Sequence, residues 1–368
     1  MAIKYPVYSP HFVGKEKEYV NDCLDSTWIS SKGRYIALFE DAFSQFVGVK
    51  HAASVSNGTV ALHVALIALG IGPGDEVLVP TFTYIASVNS IAYTGATPVF
   101  VDSEPEFWQI DVADARRKIS AKTKAIMPVH LYGQACDMVA IMELAREHNL
   151  LVVEDCAEAI GSMVEGAHVG TFGDISTFSF FGNKTITTGE GGMVVTNNDE
   201  YAEMVNRLKG QGLAANREYW HDLVGFNYRM TNICAAIGYA QLEGIGQILA
   251  KKKEIAVWYK EELVNLALNV HAEREGSVHS YWMVSILLRD KNLRDPMRRF
   301  LRENGVETRP LFHLSHEMEM YKEDISYPVA EDLSTRGMNL PSYPDLGRQD
   351  VANICALIRK FMLVEANK

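Results

Sequence analysis

The sequence predicts an α/β protein in which helices cover both faces of a mostly parallel, seven-stranded sheet, followed by a smaller α+β domain. Between about residues 50 and 196, short β-branched runs alternate with helical patterns, which is typical of a parallel sheet with crossover helices. After about residue 232 the pattern changes to long amphipathic helices. We therefore expect a large domain at residues 1–245 and a small domain at 246–368, a division that the length of 368 residues permits.

Each predicted strand is a short run rich in Val, Ile, Ala or Phe. The seven runs are residues 52–55, 76–80, 97–101, 125–129, 150–153, 176–180 and 193–196. Helices are predicted at 59–70, 84–93, 112–119 and 138–148. The first helix is nearly all apolar, so it should be buried. Since the last two strands lie too close in sequence for a helical crossover, the seventh should be antiparallel. In the small domain we predict a strand at 282–288, a helix at 294–304 and a terminal helix at 350–364.

Composition argues against several classes of protein. The net charge of −11, from 35 basic and 46 acidic residues, disfavours nucleic acid or an anionic membrane surface as a partner. No run approaches about 20 apolar residues, and the first residues lack a signal-peptide pattern, so we expect a cytoplasmic protein. The five cysteines are scattered without a C-x-x-C pair, which favours reduced thiols over disulfides or a metal site, and no metal is expected.

Polar residues follow the first predicted strand, where the ligand site of a parallel sheet is expected. The segment Ser56-Asn57-Gly58-Thr59 leads directly into the apolar helix. Free amide groups and the helix dipole at this point could cradle a phosphate group. The alternative is that Asn57 or Ser56 simply caps the helix. From this segment alone the cap is the more common arrangement.

Two further segments carry ionisable groups at strand ends. Residues 154–158, Glu-Asp-Cys-Ala-Glu, place two or three carboxylates after the fifth strand, either as a site or as acids favoured by a helix N-terminus. Lys184 stands in a glycine-rich turn after the sixth strand. A lysine in a turn is usually a solvated surface charge.

The phosphate cradle, the strand-end aspartate and the lone lysine together match the needs of a pyridoxal 5′-phosphate site. Lys184 would bind the cofactor covalently, with its pKa lowered by apolar surroundings. Asp155 would keep the pyridine nitrogen protonated, because an opposite charge favours the charged form. A protonated ring is an electron sink for carbanion chemistry. No simple nucleotide site needs all three parts.

Several motifs make the chain resemble the DegT/DnrJ/EryC1/StrS family of pyridoxal-phosphate sugar aminotransferases, which have the fold-type I (aspartate aminotransferase-like) architecture. The resemblance covers nearly the whole chain. Its motifs are Trp28-Ile29-Ser30-Ser31-Lys32-Gly33, Ser56-Asn57-Gly58-Thr59, Gly72-Pro73-Gly74-Asp75-Glu76-Val77, Pro80-Thr81-Phe82-Thr83-Tyr84, Pro128-Val129-His130-Leu131-Tyr132-Gly133, Asp155, Lys184, Thr188-Gly189-Glu190-Gly191-Gly192 and Gly225-Phe226-Asn227-Tyr228-Arg229-Met230.

The resemblance implies a role for each matching residue. Lys184 and Asp155 would be catalytic, and Glu158 would lie near the cofactor ring, where many relatives have glutamine or histidine. Tyr84 would stack on the ring, and a homodimer with two composite sites is implied. Phosphate contacts are expected from Ser56, Asn57, Gly58, Thr59, Ser179 and, reaching into the neighbouring subunit, Asn227. Substrate contacts are expected from Ser31, Tyr219, Trp220, Arg309 and His313.

The lysine segment bears on the reaction. A related branch of dehydratases has histidine at the position of Lys184, and histidine cannot form the covalent link, so the lysine argues for amino transfer. The resemblance implies transfer from L-glutamate to C4 of a GDP-linked 4-keto-6-deoxy sugar. A UDP- or dTDP-linked sugar is the alternative substrate, and a non-catalytic cofactor-binding regulator is an alternative of another class. A dinucleotide oxidoreductase is disfavoured because no G-x-G-x-x-G follows the first strand.

Overall fold

The computed structural model describes residues 2–12, 14–214 and 216–366. Twelve α-helices lie within these ranges, namely α1 Glu16–Asp25, α2 Arg34–Val47, α3 Gly58–Ala68, α4 Ile85–Tyr93, α5 Val112–Lys118, α6 Met138–His148, α7 Asp199–Lys209, α8 Asn232–Glu243, α9 Ile245–Glu262, α10 Arg294–Glu303, α11 Pro328–Arg336 and α12 Arg348–Ala366. The strands of the described residues are β1 His51–Val55, β2 Glu76–Pro80, β3 Thr97–Val101, β4 Thr123–Ile126, β5 Leu151–Asp155, β6 Met163–Val164, β7 Ala167–His168, β8 Ile175–Ser179, β9 Gly192–Thr196, β10 Leu268–Val270, β11 Ser277–Val278, β12 Val284–Leu288, β13 Arg309–Pro310 and β14 Gly337–Leu340.

The main sheet has seven strands in the order β1-β9-β8-β5-β4-β2-β3. Strand β9 runs antiparallel to both of its neighbours, β1 and β8, while β8, β5, β4, β2 and β3 pair in parallel. The predicted fold class and the antiparallel seventh strand are therefore confirmed. The short connection after β8 allows only a return beside the same strand.

Alternate residues of the strands face two separate apolar cores. Val77 and Val79 of β2 belong to one core and Leu78 to the other, as expected from the two-residue period of a strand. Helix α3 lies in the first core with Ala61, Val64 and other residues fully buried, so the prediction of a buried helix is confirmed. The helix is apolar because it has no face toward water.

The small α+β region contains the antiparallel sheet β10-β12-β14-β13 and a third core. The predicted strand, middle helix and terminal helix correspond to β12, α10 and α12. Tyr5, near the start of the chain, pairs with Val306 and is buried in this core, which sequence patterns did not indicate. Helices α8 and α9 meet with a bend of 63° at Gly244, and the domain boundary at 245/246 stays a prediction.

In the part of the chain that the structure describes, no single helix is long and apolar enough to cross a membrane, although the bent pair α8 and α9 passes the same test by length and composition. All five cysteines are free thiols, four of them buried.

Two helical glycines offer a matched test of packing. A Cβ at Gly238 of α8 would lie 2.6 Å from the Phe39 ring, whereas a Cβ at Gly246 of α9 would meet nothing within 4 Å. We expect Gly238→Ala to lower the free energy of unfolding by about 1–3 kcal/mol through overpacking. Gly246→Ala should raise it by about 0.4–1 kcal/mol, because alanine restricts the unfolded chain. Equal effects in urea unfolding would contradict this packing.

Candidate active site

The carboxyl ends of β1, β8 and β5 lie at one edge of the main sheet. Gly58 follows β1, Ser179 ends β8 and Asp155 ends β5. Since β1, β8 and β5 all run in one direction, with β9 antiparallel between the first two, these residues share the same edge. The topology therefore brings together the three segments that sequence analysis had selected separately.

The N-terminus of α3 is built to receive an anion. The Asn57 side chain caps the helix, since its Oδ1 accepts a hydrogen bond from the Val60 amide at 3.0 Å. The preceding amides, of Gly58 and Thr59, have no intrahelical carbonyl to donate to. A Cβ at Gly58 would lie 2.8 Å from the Cβ of Ser179, so only glycine allows this close approach. The capping alternative is thus correct for Asn57, and it leaves the cradle intact.

Asp155 is 3% exposed and holds two hydrogen bonds. Its Oδ2 accepts from the Ser87 hydroxyl at 2.7 Å, and its Oδ1 accepts from the Ala157 amide at 3.1 Å. Burial raises the pKa of Asp155, and the bond from Ser87 opposes that rise. A buried carboxylate of this kind favours a cationic partner.

Lys184 and Glu158 face each other beside Asp155. Lys184 Nζ lies 3.8 Å from Glu158 Oε1, which is longer than a hydrogen bond. Burial lowers the pKa of Lys184, while Glu158 and Asp155 act in the opposite direction. Burial raises the pKa of Glu158 to about 7, although Lys184 opposes that change and Glu158 Oε2 accepts a hydrogen bond from the Tyr132 amide at 2.8 Å. The lysine is therefore a partly buried amine suited to nucleophilic and proton-transfer chemistry.

Aromatic rings form one wall of this site. Tyr132 lies nearly parallel to Phe312, with ring centroids 5.2 Å apart, and nearly parallel to Trp282 at 6.2 Å. The Tyr84 ring centroid lies 6.0 Å from that of Phe312, and Tyr84 is 58% exposed. The site thus combines an amine, buried carboxyl groups, a helix N-terminus and an exposed aromatic ring.

Comparison with known proteins agrees with this arrangement. Residues 11–359 match the DegT/DnrJ/EryC1/StrS aminotransferase family.

The chain belongs to the DegT/DnrJ/EryC1/StrS aminotransferase family.

Relatives and solved structures of the family cover almost the whole chain. A protein of Escherichia coli O157:H7 named GDP-perosamine synthase is 60% identical over 98% of this chain and 99% of its own length. A Vibrio cholerae protein of the same name is 54% identical over 97% and 98%. The crystal structure of the aminotransferase TlmJ from Streptoalloteichus hindustanus superposes with a TM-score of 0.94, at 31% identity, over 98% of this chain and all of that one. The enzyme is a pyridoxal-phosphate-dependent aminotransferase, as the family is.

The residues of this aminotransferase fit pyridoxal phosphate. The Asp155 carboxylate can accept a further hydrogen bond from a cationic ring nitrogen, because its two protein partners leave other lone pairs free. The free amides of α3 lie next to Ser179, where a phosphate group would be bound. Lys184 Nζ makes no closer contact with Glu158 than 3.8 Å, so its amine is available for a covalent bond.

One acid of the 154–158 segment does not belong to the site. Glu154 is fully buried and accepts hydrogen bonds from the amides of Gly170, Phe172 and Gly173. It faces away from Asp155 because successive strand residues alternate. His130, Glu154 and Cys156 offer metal-ligand atoms within 4.8 Å of one another. The Glu154 carboxylate is already used by these amides, and the structure assigns it to holding the turn.

The expected substrate residues differ in how close they lie to the site. The segment with Arg309 and His313 packs on the site, because Phe82 pairs with Leu314 beside Tyr84. Arg309 is paired with Glu307 at 3.0 Å, and His313 is exposed. Tyr219 is 93% exposed and Trp220 49%, so neither is buried against the site within one chain. Ser31 is half-buried in the loop before α2.

The remaining cofactor residues also differ in their surroundings. Ser56 lies at the same edge, and its amide donates to the Tyr228 carbonyl at 2.7 Å, so that amide is not free for a phosphate. Asn227 is exposed on the neighbouring segment, which pairs with Gly210. Its expected contact with a second subunit stays a prediction.

Sequence reasoning missed five residues that contact this site. Tyr132 belongs to a quoted motif, Phe312 stands between the expected substrate residues Arg309 and His313, and Trp282 begins a predicted strand. Ser87 and Tyr8 carried no signal. Their contacts arise only when distant segments meet, as when the Tyr8 hydroxyl donates to the Lys184 carbonyl.

The raised pKa of Glu158 predicts a pH dependence of stability. The pKa of Glu158 is about 7 in the folded apoprotein and near 4.5 in the unfolded chain, so the folded state binds the proton more tightly. The resulting contribution of Glu158 to the free energy of unfolding is fully present below pH 4.5 and is lost as the pH rises through 7. We expect Glu158→Gln to remove this loss, which amounts to more than about 1 kcal/mol between pH 5 and pH 8. Urea unfolding of both apoproteins at several pH values measures it. Glu147→Gln, at an exposed ion pair, should leave the profile unchanged.

Proposed function

We propose that the enzyme transfers the amino group of L-glutamate to C4 of GDP-4-keto-6-deoxy-D-mannose, giving 2-oxoglutarate and GDP-perosamine for O-antigen (lipopolysaccharide) synthesis. The arrangement of Lys184 opposite Glu158 and Asp155 supports amino transfer. The identities of 60% and 54% to full-length relatives named GDP-perosamine synthase support this substrate.

The cofactor roles belong to the same proposal. Lys184 would bind pyridoxal phosphate covalently, Asp155 would pair with the ring nitrogen, and Tyr84 would stack on the ring. Glu158 would lie at the ring edge between Lys184 and the Tyr132 amide. The phosphate would be held by Gly58, Thr59 and Ser179, and by Asn227 of a second subunit in a homodimer. The exposure of Asn227, Tyr219 and Trp220 in one chain agrees with a site completed by a partner.

Pyridoxal phosphate supplies an electron sink for the carbon that loses its proton. Lys184 Nζ, once freed, would take the proton from Cα of L-glutamate and deliver a proton to the cofactor carbon C4′. In the second half of the cycle Lys184 would move the proton in the reverse direction, onto C4 of the sugar. Asp155 would stabilise the positive charge of the ring nitrogen, because its own carboxylate is fixed by Ser87 and Ala157.

A cytoplasmic reaction is also part of the proposal. The five free thiols, four of them buried, support it, because such thiols persist in reducing compartments.

The choice of sugar is tested with purified enzyme, pyridoxal phosphate and ¹⁵N-labelled L-glutamate. We expect mass spectrometry to find label in the amino sugar formed from GDP-4-keto-6-deoxymannose, and little from the dTDP- and UDP-linked keto sugars. Label in one of those sugars alone would keep the reaction type and refute the substrate. Consumption of no sugar would favour a non-catalytic role.

Three variants test the roles of the catalytic residues. Lys184→Ala should lower turnover by at least about 10⁴-fold, because it removes the covalent anchor and the proton carrier together. Lys184→Arg keeps the positive charge and should be equally inactive, since a guanidinium does not deprotonate near neutral pH. Asp155→Asn should retain the fold and lower the rate by about 10²-fold or more through a weaker electron sink. A full rate in any of these variants, measured in steady state, would refute the corresponding role.

A further inference from the structure

Trp282 touches the lysine turn in two ways. This residue lies just before β12 and is 5% exposed. Its indole Nε1–H donates a hydrogen bond to the backbone carbonyl of Asn183 at 2.7 Å. Its ring centroid lies 4.1 Å from Lys184 Nζ. One side chain from the small α+β region thus contacts both the backbone and the amine of the catalytic lysine segment.

Tyr8 holds the next carbonyl of the same turn. Its hydroxyl donates to the Lys184 backbone carbonyl. The Tyr8 segment is fixed in turn, because the Val7 amide donates to Glu307 Oε2 at 3.1 Å and the Lys252 amine lies 5.3 Å from the Tyr8 ring centroid. Two consecutive carbonyls therefore bind side chains from outside the main sheet. This arrangement fixes the point from which the Lys184 side chain extends.

The amine of Lys184 faces three groups. Glu158 Oε1 lies 3.8 Å away, the Asp155 carboxylate acts on it electrostatically, and the Trp282 ring face completes its surroundings. The Trp282 ring is nearly parallel to Tyr132, at an interplanar angle of 4°, and is buried, so it cannot turn away freely. A ring face attracts an ammonium group, and this attraction grows when water is excluded.

We propose that Trp282 is a positioning residue for Lys184, with its indole N–H fixing the lysine turn and its ring face receiving the amine whenever that amine is not bonded to the cofactor. The inference rests on the proposed role of Lys184 as proton carrier. Without the Trp282 ring, the freed amine would sample orientations in which it does not reach the reacting carbons. Proton transfer would be slower because the amine would spend less time in the reactive orientation.

Two variants separate the contributions of Trp282. Trp282→Phe keeps an aromatic face and removes the N–H, whereas Trp282→Leu removes both. Trp258 of α9 provides the matched control, because its ring centroid lies 4.4 Å from the Lys251 amine and it is buried in the third core. Trp258→Leu therefore removes a similar ring and a similar cation contact at a place that the reaction does not use.

The first measurement uses the apoprotein. The rate of Lys184 acetylation by acetic anhydride, followed by peptide mass spectrometry across pH, reports the pKa of its amine. We expect Trp282→Leu to lower that pKa by about one, because the ring no longer stabilises the ammonium form. Trp282→Phe should change it less, and Trp258→Leu should leave it as in the parent protein.

The second measurement follows the half-reaction of the loaded enzyme with L-glutamate alone by stopped-flow absorbance, which needs no sugar. We expect Trp282→Leu to slow it about 10- to 100-fold and Trp282→Phe a few-fold, with little change in the glutamate concentration that gives half the maximal rate. Parent-like values of both the pKa and the rate in Trp282→Leu would overturn the inference, as would equal losses in Trp258→Leu. If Lys184→Ala itself retained the half-reaction, the proposed function of Lys184 would fail instead.

Discussion

The burial of one lysine amine beside two carboxyl groups is the constraint on which the rest of the site depends. Burial lowers the pKa of Lys184 and raises those of Glu158 and Asp155, so each charge is unfavourable alone. The ammonium group of Lys184 stabilises both carboxylates and is stabilised by them, whereas the two carboxylates repel each other. Such compensation works only at short range, and the parallel pairing of β5 with β8 fixes that range. The sheet therefore holds these three ionisable groups close enough together for their charges to interact.

The contacts that surround this group come from distant parts of the chain. Tyr8 lies in the N-terminal segment, Trp282 precedes a strand of the small sheet, and Phe312 follows β13. Each of them contacts Lys184, its turn or the aromatic wall. Because these residues also belong to or adjoin the packing between the two regions, a movement of the small region relative to the main sheet would alter the lysine directly. The surroundings of Lys184 and the packing of the two regions therefore share the same side chains.

Sequence patterns predicted the seven strands along the chain, the antiparallel direction of the last one and the identity of the central ionisable residues. The segment before α3 shows a limit of such patterns, because they did not distinguish a helix cap from a phosphate site. In the structure Asn57 caps the helix, and the amides of the next residues are still free for an anion. One sequence signal therefore served both the capping and the binding interpretation. Glu154 shows the opposite case, since it looked like a site acid beside Asp155 and instead holds residues 170–173 from the other face of the strand.

The sequence by itself determined the fold class, the buried α3 and the positions of Lys184, Asp155 and Glu158, because periodicity, connection length and motifs are local properties of the chain. Only the tertiary structure decided that Ser87 fixes Asp155, that Tyr132 donates to Glu158, and that Trp282 faces the lysine amine. These contacts join residues separated by dozens to about a hundred positions. Their geometry depends on how helices and sheets pack, and no spacing along the chain encodes it.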